Sequence, residues 1–413
     1  MSTVRPFKAF RPKPEFAREV ASKPYDVLNS DEAREEVKGH PLSFLHVGKP
    51  EIDLDPGTDV HDPTVYAKGK ENLQKLIDQN VLVQDPEPFL YVYAQTMEGR
   101  TQYGIVGCAS VEEYWNDTIK KHELTRKDKE EDRCNHVRVT NSHSGPIFLT
   151  YPDNTEINAI VSKVVSTPPE NDHVAADGVR HQSWVVKDKS TIQKLQQLFA
   201  ATPHLYVADG HHRSAAAGIV GRERKLANSG HRGDEEYNFF LAVCFPASQL
   251  RVLDYNRGVK DLNGLSSTEF VNKLKADFSV RSIQGRPRLS KKGEFGLYLE
   301  KSWYVLTAAD DLLKRSDPVE RLDVAILQNH ILNPILGIKD PRTDKRIDFI
   351  GGIRGMGELE KRVDSGQMKA AFSMFPTSIH ELIAIADAGK IMPPKSTWFE
   401  PKLRDGLFVH FLD

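Results

Sequence analysis

The chain has 413 residues, with 56 lysines and arginines against 58 aspartates and glutamates. This length allows two to three domains with well-buried cores, since a chain of this size buries about three quarters of the surface that it exposes when unfolded. The formal net charge of -2 excludes a general attraction for polyanions, so no strong nucleic-acid partner is expected and any anion must bind at a local site.

The three cysteines, Cys108, Cys134 and Cys244, are widely spaced and form no C-x-x-C pair. They support neither a disulfide framework nor a cysteine zinc site, so we expect a cytoplasmic protein. The longest apolar run, residues 239–245, is far shorter than the roughly 18 residues that a membrane span needs. We therefore expect no membrane partner and predict a buried strand here.

Short strands alternate with amphipathic helices along the chain, which is typical of a mixed α/β (α+β) fold. Alternating residues around Glu98-Gly99 predict a β-hairpin over residues 89–106. Ser110 and Glu113 have the spacing of a capping box and predict a helix that runs into the charged segment 120–133. The same spacing predicts three more helices, after Ser190 with Gln193, Ser266 with Glu269, and Ser378 with Glu381.

Apolar residues three or four apart define the buried faces of two of these helices: Ile192, Leu195 and Phe199 in one, and Phe270, Leu274 and Phe278 in the other. A second hairpin is predicted over residues 295–306, and a last strand over residues 407–412. We place a domain boundary near residue 260, which separates region 1–260 from a C-terminal region 261–413.

Residues 203–227 carry the strongest chemical signal. They read as an apolar strand (205–208), a sharp turn and an alanine-rich helix, and the turn contains the DGHHR segment, residues 209–213. The first amides of a helix are free and its macrodipole is positive there, so such a turn suits an anion. A polar turn with Asp209 acting only as the helix N-cap is the alternative.

Each residue of the DGHHR segment has a chemical part in this hypothesis. Gly210 allows close approach of the backbone. Arg213 can form paired hydrogen bonds with phosphate oxygens, and His211 and His212 add donors. Asp209 is the candidate for holding Mg²⁺ or for taking a proton.

Phosphoryl transfer also needs a carboxylate near the attacking hydroxyl, and the candidates are Asp26, Glu123 and Asp209 itself. Asp26 could instead bond its own backbone in a turn, and Glu123 could belong to a solvated charged face. The loop of residues 392–402 contains Lys395, Ser396 and Thr397, which are the candidate residues for contact with a ligand in this loop. This loop either closes over a ligand or is a packed crossing.

Seven motifs, in this order, resemble a conserved family labelled domain of unknown function 1015: PYDV (24–27), KHELT (121–125), KEEDR (129–133), GVRH (178–181) with Trp184, YVADGHHRSAAA (206–217), DFIGG (348–352) and MPPKSTWFEPK (392–402). The resemblance spans essentially the whole chain. It therefore implies membership of that family, whose function is not described.

The DGHHR segment is also similar to the phosphate box of the ParB and sulfiredoxin superfamily, which includes free serine kinases. This resemblance implies a ParB/sulfiredoxin-like domain in region 1–260 and an additional α/β region of unknown role in 261–413. It implies that residues 210–213 bind nucleotide phosphates and that Asp209 lies at the metal or the reacting hydroxyl. His211 stands where sulfiredoxins have a reactive cysteine, so reduction of a sulfinic acid is not expected.

The implied activity is a kinase reaction with Mg²⁺ and ATP or ADP as cofactors. Its acceptor would be a small hydroxyl compound, with free L-serine as the leading candidate. Two alternatives stay open: a nucleotide-binding regulatory or DNA-associated protein without transfer activity, and a phosphatase or phosphodiesterase. A homodimer is also left open.

Overall fold

The computed structural model describes residues 1–413 and has the expected mixed α/β fold. The chain forms two compact units. The first unit contains residues 1–121, 125–250 and 401–413, and the second contains residues 122–124 and 251–400. No helix combines the length and apolar character that crossing a membrane requires. The separate roles assigned to regions 1–260 and 261–413 stay a prediction.

The first unit contains thirteen of the strands and nine of the α-helices. Its strands are β1 (Val4–Arg5), β2 (Phe10–Pro12), β3 (Leu82–Gln84), β4 (Leu90–Met97), β5 (Arg100–Ser110), β6 (Ile119–Lys120), β7 (Ser142–His143), β8 (Ile147–Tyr151), β9 (Asn171–Val174), β10 (Arg180–Val186), β11 (Leu205–Asp209), β12 (Phe239–Pro246) and β21 (His410–Phe411). Its helices are α1 (Ala17–Val20), α2 (Ser30–Glu36), α3 (Leu45–Gly48), α4 (Pro63–Asp78), α5 (Val111–Trp115), α6 (Lys127–Thr140), α7 (Thr155–Val165), α8 (Lys189–Ala201) and α9 (His211–Ala227).

A nine-stranded sheet organises the first unit, in the order β6-β11-β8-β12-β5-β4-β10-β9, with β1 also paired to β5. Strand β8 runs parallel to β12, and β6 runs parallel to β11, while the other pairs are antiparallel. Strand β12 is buried from Phe240 onwards, as the apolar run 239–245 predicted. Short two-stranded sheets pair β2 with β3 and β7 with β21.

The second unit contains strands β13 (Arg251–Leu253), β14 (Tyr255–Val259), β15 (Phe278–Ile283), β16 (Glu294–Leu299), β17 (Ser302–Ala308), β18 (Ile347–Gly351), β19 (Ala370–Ser373) and β20 (Trp398–Glu400). Its helices are α10 (Ser267–Leu274), α11 (Asp310–Leu313), α12 (Asp323–Leu327), α13 (Met356–Asp364) and α14 (Ile379–Asp387). Six strands form an antiparallel sheet in the order β15-β17-β16-β19-β14-β18, and β13 pairs with β20.

Both predicted hairpins are confirmed, as β4–β5 and β16–β17. The capping boxes at Ser266 and Ser378 are present in full, because each serine accepts the amide of the third helical residue and the glutamate there accepts the amide of the serine. The buried face of α8 is confirmed as well, since its three predicted apolar residues, Ile192, Leu195 and Phe199, are all buried.

Two helix predictions need correction, one in the length of the helix and both in the N-terminal cap. Helix α5 ends at Trp115, and only the second half of the charged segment, residues 127–133, is helical, as the start of a separate helix, α6. The carboxylate of Glu113 does not return to its own cap but accepts hydrogen bonds from Thr3. Helix α8 is capped by Asp188 rather than by Ser190, since an aspartate two residues earlier is an equally good acceptor for the free amides.

Two strand boundaries also differ from the prediction. Phe278 is buried, but it begins strand β15 instead of continuing the face of α10. The last predicted strand, residues 407–412, is paired only over β21 and at an isolated bridge between Val409 and Phe10. Most residues of this apolar run are buried, but only residues 409–411 pair with another strand. Burial of an apolar run therefore does not require that the whole run forms a strand.

Candidate functional site

The DGHHR segment lies where β11 meets α9, as the sequence predicted. The apolar residues of β11 are buried in the large sheet, and Gly210 forms the N-cap of α9 with a φ of +90°. This backbone conformation favours glycine because a Cβ atom would be strained there. The alternative that Asp209 is the N-cap is therefore wrong, and the free amides of α9 have no side-chain cap.

Asp209 is held by two donors on its two carboxylate oxygens. Its Oδ1 accepts the Gly210 amide at 2.9 Å, and its Oδ2 accepts the Lys402 ammonium at 2.8 Å. Burial acts to raise the pKa of the Asp209 carboxyl, but Lys402, then Arg213 and the Gly210 amide, outweigh it and hold that pKa well below its usual range. Asp209 is therefore ionised at neutral pH and paired with a cation.

Asp405 holds one side of the Arg213 guanidinium, and the other side faces the Gly210 turn. Its Nη1 lies 3.2 Å from Asp405 Oδ1, and both side chains are largely buried. A Cβ atom at Gly145 would lie 2.7 Å from Nη1, so only glycine fits behind this ion pair. A Cβ atom built on Gly210 would lie 3.3 Å from Nε and 3.5 Å from Nη2. The Nε–Nη2 edge of the guanidinium thus faces the Gly210 turn.

The two histidines differ in their surroundings. His211 is buried, and burial lowers its pKa to about 4, with Asp209 opposing the shift and His212 adding to it. It is therefore neutral at pH 7. His212 is half-buried, and its Nε2 accepts the backbone amide of Arg126 at 3.1 Å. This bond fixes the ring of His212 with a neutral Nε2.

A small hollow lies behind Arg213 and brings three motifs together. Its lining includes Tyr25 of PYDV, Arg133 of KEEDR, and Arg213 with Asp405. The Arg133 guanidinium stacks 3.9 Å from the centre of the Tyr25 ring. The hollow has a volume of about 30 Å³, which is enough for a water molecule. It can take a water or a single hydroxyl, but a nucleoside must bind outside it.

Asp405 lines this hollow and has a strongly shifted pKa. Burial raises its pKa to about 7, and the positive charge of Arg213 opposes that shift. The carboxylate of Asp26 adds to the increase, and it also favours the charged form of Arg213. Asp26, predicted as a catalytic candidate, is thus electrostatically coupled to Arg213 and Asp405.

The other predicted site residues belong to the second unit. Glu123 lies in its short segment 122–124 and is half-buried. Lys395, Ser396 and Thr397 lie in a turn before β20. Ser396 is buried, and its Oγ donates to the Pro393 carbonyl at 2.6 Å. Roles for these four residues at the DGHHR segment stay predictions.

Lys402 and Asp405 are the functional candidates that sequence reasoning missed. Lys402 is the last residue of the MPPKSTWFEPK motif, but no local sequence pattern predicts its bond to Asp209, which lies 193 positions earlier. Asp405 lies just beyond that motif. The signal that could have found them is the concentration of charge in residues 402–405, KLRD, inside an otherwise apolar end of the chain.

Comparisons with known proteins add a family and distant structural likenesses. The family described as "Protein of unknown function (DUF1015)" matches residues 4–325. No curated protein sequence matches the chain. Solved structures that are similar include a conserved hypothetical protein from Pyrococcus furiosus, with 15% identity, 75% of this chain and 95% of that chain covered, and a TM-score of 0.36.

Two further solved structures are similar at the same level. A free serine kinase in complex with AMP has 14% identity, with 74% of this chain and 91% of that chain covered, and a TM-score of 0.35. SbnI with a C-terminal truncation, from Staphylococcus aureus, has 11% identity, with coverages of 74% and 87% and a TM-score of 0.39. These likenesses assign no activity to this chain. Since the family match covers well over half of the sequence, the chain belongs to the DUF1015 family.

Proposed function

We propose that this protein is a nucleotide-dependent phosphotransferase that moves a phosphoryl group from ATP or ADP to a small alcohol, with free L-serine as the first acceptor to test. The observation that carries this proposal is the uncapped N-terminus of α9, faced by the Nε–Nη2 edge of Arg213. Free amides and a guanidinium edge are the donors that phosphate oxygens bind best.

The charges around the turn fit the needs of phosphoryl transfer, which depends mainly on positioning and on neutralising the charge of the phosphates. Asp405 holds Nη1 of Arg213 and thereby fixes the direction of its Nε–Nη2 edge. Lys402 cancels the charge of Asp209 through a 2.8 Å bond, so this carboxylate repels an incoming phosphate less. His211, which is neutral at pH 7, adds polarity without adding charge.

Asp209 fits a magnesium ion better than it fits a general base. Its depressed pKa keeps it ionised, and a base with so low a pKa has little affinity for a proton at pH 7. Mg²⁺ is commonly held by one or two carboxylates together with substrate phosphates. In this proposal Asp209 shares the ion with the nucleotide, and the ion would neutralise phosphate charge.

The proton of the attacking hydroxyl needs another acceptor. Asp26 is coupled to the Arg213–Asp405 pair, and the hollow beside that pair has room for one hydroxyl. We assign the role of base to Asp26, with Glu123 as the second candidate. Asp405 acts on Arg213 as a positioning residue.

The test is to incubate the full-length protein with Mg²⁺, serine, and ATP or ADP, and to measure phosphoserine by mass spectrometry. We expect Arg213→Gln to reduce phosphoserine formation by about a hundredfold, because one oriented phosphate contact in a protected site has roughly that effect. Lys225→Gln is the matched control, since it removes an exposed cation from the same helix far from its N-terminus.

The nucleotide site and the acceptor are tested separately by calorimetric titration with ADP. Loss of ADP binding in Arg213→Gln, with no phosphoserine from the wild type, would keep the nucleotide site and refute serine as acceptor. Equal ADP affinity in Arg213→Gln and Lys225→Gln would refute the site itself. Release of inorganic phosphate without transfer would favour a phosphatase.

A further inference from the structure

Arg257, on β14 of the second unit, is a buried cation without an acidic partner. Its side chain is only 3% exposed. It donates to the backbone carbonyls of Tyr255, Pro394 (3.4 Å) and Lys395 (3.0 Å), and it forms no ion pair with a carboxylate. Buried arginines are almost always paired, because an uncompensated charge is costly to remove from water. Burial lowers the pKa of Arg257 to about 10, which reflects this cost.

Arg257 lines an open pocket within the second unit. The pocket has a volume of about 310 Å³, at the lower end of the roughly 300–1,000 Å³ of small-molecule sites. Its rim carries Lys339 and Arg342, and the opposing charge is Asp340, which is bound to Arg342 at 2.9 Å. Three cations therefore face one carboxylate, so the lining attracts anions.

A second unsatisfied group lines the same pocket. Gln328 donates through Nε2 to the carbonyl of Ile338 at 2.8 Å, but its Oε1 is buried and accepts no hydrogen bond. Gln328 opens a π-helical turn, Gln328–Leu332, directly after α12. Such turns are rare and occur often at functional sites. The pocket thus offers an unused acceptor beside an uncompensated cation.

The remaining walls of the pocket are apolar. Phe349 lies under the Arg257 guanidinium, with 5.3 Å between the guanidinium carbon and the ring centre. Pro341, Pro393 and Pro394 complete this part of the lining. A flat apolar or aromatic body fits between a ring and rigid prolines without loss of side-chain freedom.

We propose that this pocket is a binding site for a small organic anion that has a carboxylate or phosphate group, a hydrogen-bond donor and an apolar body. The anionic group binds the N–H donors of Arg257 that the three backbone carbonyls leave over. The donor binds Gln328 Oε1, and the apolar body packs on Phe349. This site lies entirely in the second unit and does not depend on the phosphotransferase activity proposed above.

The experiment uses the full-length protein and three probes with one aromatic ring and one phenolic hydroxyl donor: 4-hydroxyphenylacetate, 4-hydroxyphenyl phosphate and the neutral 4-hydroxyphenylacetamide. Binding is measured by saturation-transfer NMR and by calorimetric titration. We expect both anions to bind and the amide to bind at least tenfold more weakly, since it cannot neutralise Arg257. The two anions distinguish a carboxylate site from a phosphate site.

Variants separate this pocket from other cationic surfaces. Arg257→Gln should weaken binding of the preferred anion at least tenfold, and Lys339→Gln and Arg342→Gln about two- to fivefold each, as expected for exposed charges. Arg281→Gln, an exposed arginine on β15, is the matched control and should leave binding unchanged. Arg213→Gln should also leave binding unchanged, which excludes the DGHHR turn as the site of the phosphate probe.

Arg257 also joins β14 to the chain at residues 394–395, so Arg257→Gln could disturb the fold. Circular dichroism and the melting temperature check this, and if that variant is unfolded, the double variant Lys339→Gln/Arg342→Gln decides the question. The proposal is overturned if the wild type binds neither anion. It is also overturned if the pocket variants bind as well as Arg281→Gln, in which case Arg257 is a structural clamp.

Discussion

The ion pair between Lys402 and Asp209 gives a quantitative test of the site. Lys402→Met removes the ammonium but keeps most of the apolar side chain. The carboxylate of Asp209, which is one third exposed, then stays charged without its partner. A hydrogen bond to a charged group contributes about 1.5–3 kcal/mol, and partial exposure places this pair in the lower half of that range.

A double-mutant cycle isolates the energy of this pair from other effects of each substitution. The four proteins are the wild type, Asp209→Asn, Lys402→Met and the double variant. We expect a coupling energy of about 1.5–2 kcal/mol at pH 7, because Lys402→Met should cost little once Asp209 has lost its charge. Hydrogen-exchange mass spectrometry of peptides from β11 and α9 measures the local opening free energy in all four.

The pH dependence gives a second, independent check of the same pair. The folded pKa of Asp209 is depressed below its ordinary value of 3.8, so the pair stabilises the protein fully above about pH 4 and less as the pH falls further. In Lys402→Met the largest interaction that lowers this pKa is removed, while Arg213 and the Gly210 amide remain, so less stability should be lost as the pH falls below about 4. A coupling energy below about 0.5 kcal/mol at pH 7 would refute this reasoning, since unconnected sites show values that small.

Three further predictions concern the same unit. Gly210→Ala should lower the local opening free energy of α9 by about 1–2 kcal/mol, because its φ of +90° strains any residue with a Cβ; no change in hydrogen exchange would contradict the turn geometry. Burial raises the pKa of Asp405 to about 7, so ionisation of Asp405 should destabilise the fold between about pH 4 and pH 7. The melting temperature of Asp405→Asn should therefore rise relative to that of the wild type from pH 5 to pH 8, and the opposite trend would contradict this reasoning. Burial also raises the pKa of the thiols of Cys108, Cys134 and Cys244, so a thiol reagent should react with them only after unfolding, and rapid native labelling would be the contrary result.

The DGHHR turn could be predicted because all of its signals are local. An apolar run, one glycine and an alanine-rich helical segment follow each other within residues 203–227, and each signal acts within one or two turns of chain. The hairpin at Glu98-Gly99 was predictable for the same reason. In these segments the tertiary structure agrees with local preference.

The two capping predictions failed for different reasons: at Ser190 two local signals competed, and at Glu113 the hydrogen-bond partner is distant in sequence. Asp188 and Ser190 are both good N-caps, and the choice between them depends on where the helix begins after strand β10, which ends at Val186. Glu113 had the right spacing for a capping box, but Thr3 offers its carboxylate two donors from 110 residues away. No local pattern contains that information.

The charges around the DGHHR turn depend on the C-terminal segment of the first unit. Lys402 binds Asp209, and Asp405 binds Arg213 and pairs through its backbone with Ser22, two residues before PYDV. Arg404 lies between them and binds His181 of GVRH at 3.2 Å. The four residues 402–405 thus connect three of the separated motifs, although they lie outside the matched residues 4–325. The ionisation of Asp209 and the direction of Arg213 are consequently properties of the folded unit, and the DGHHR residues alone do not determine them.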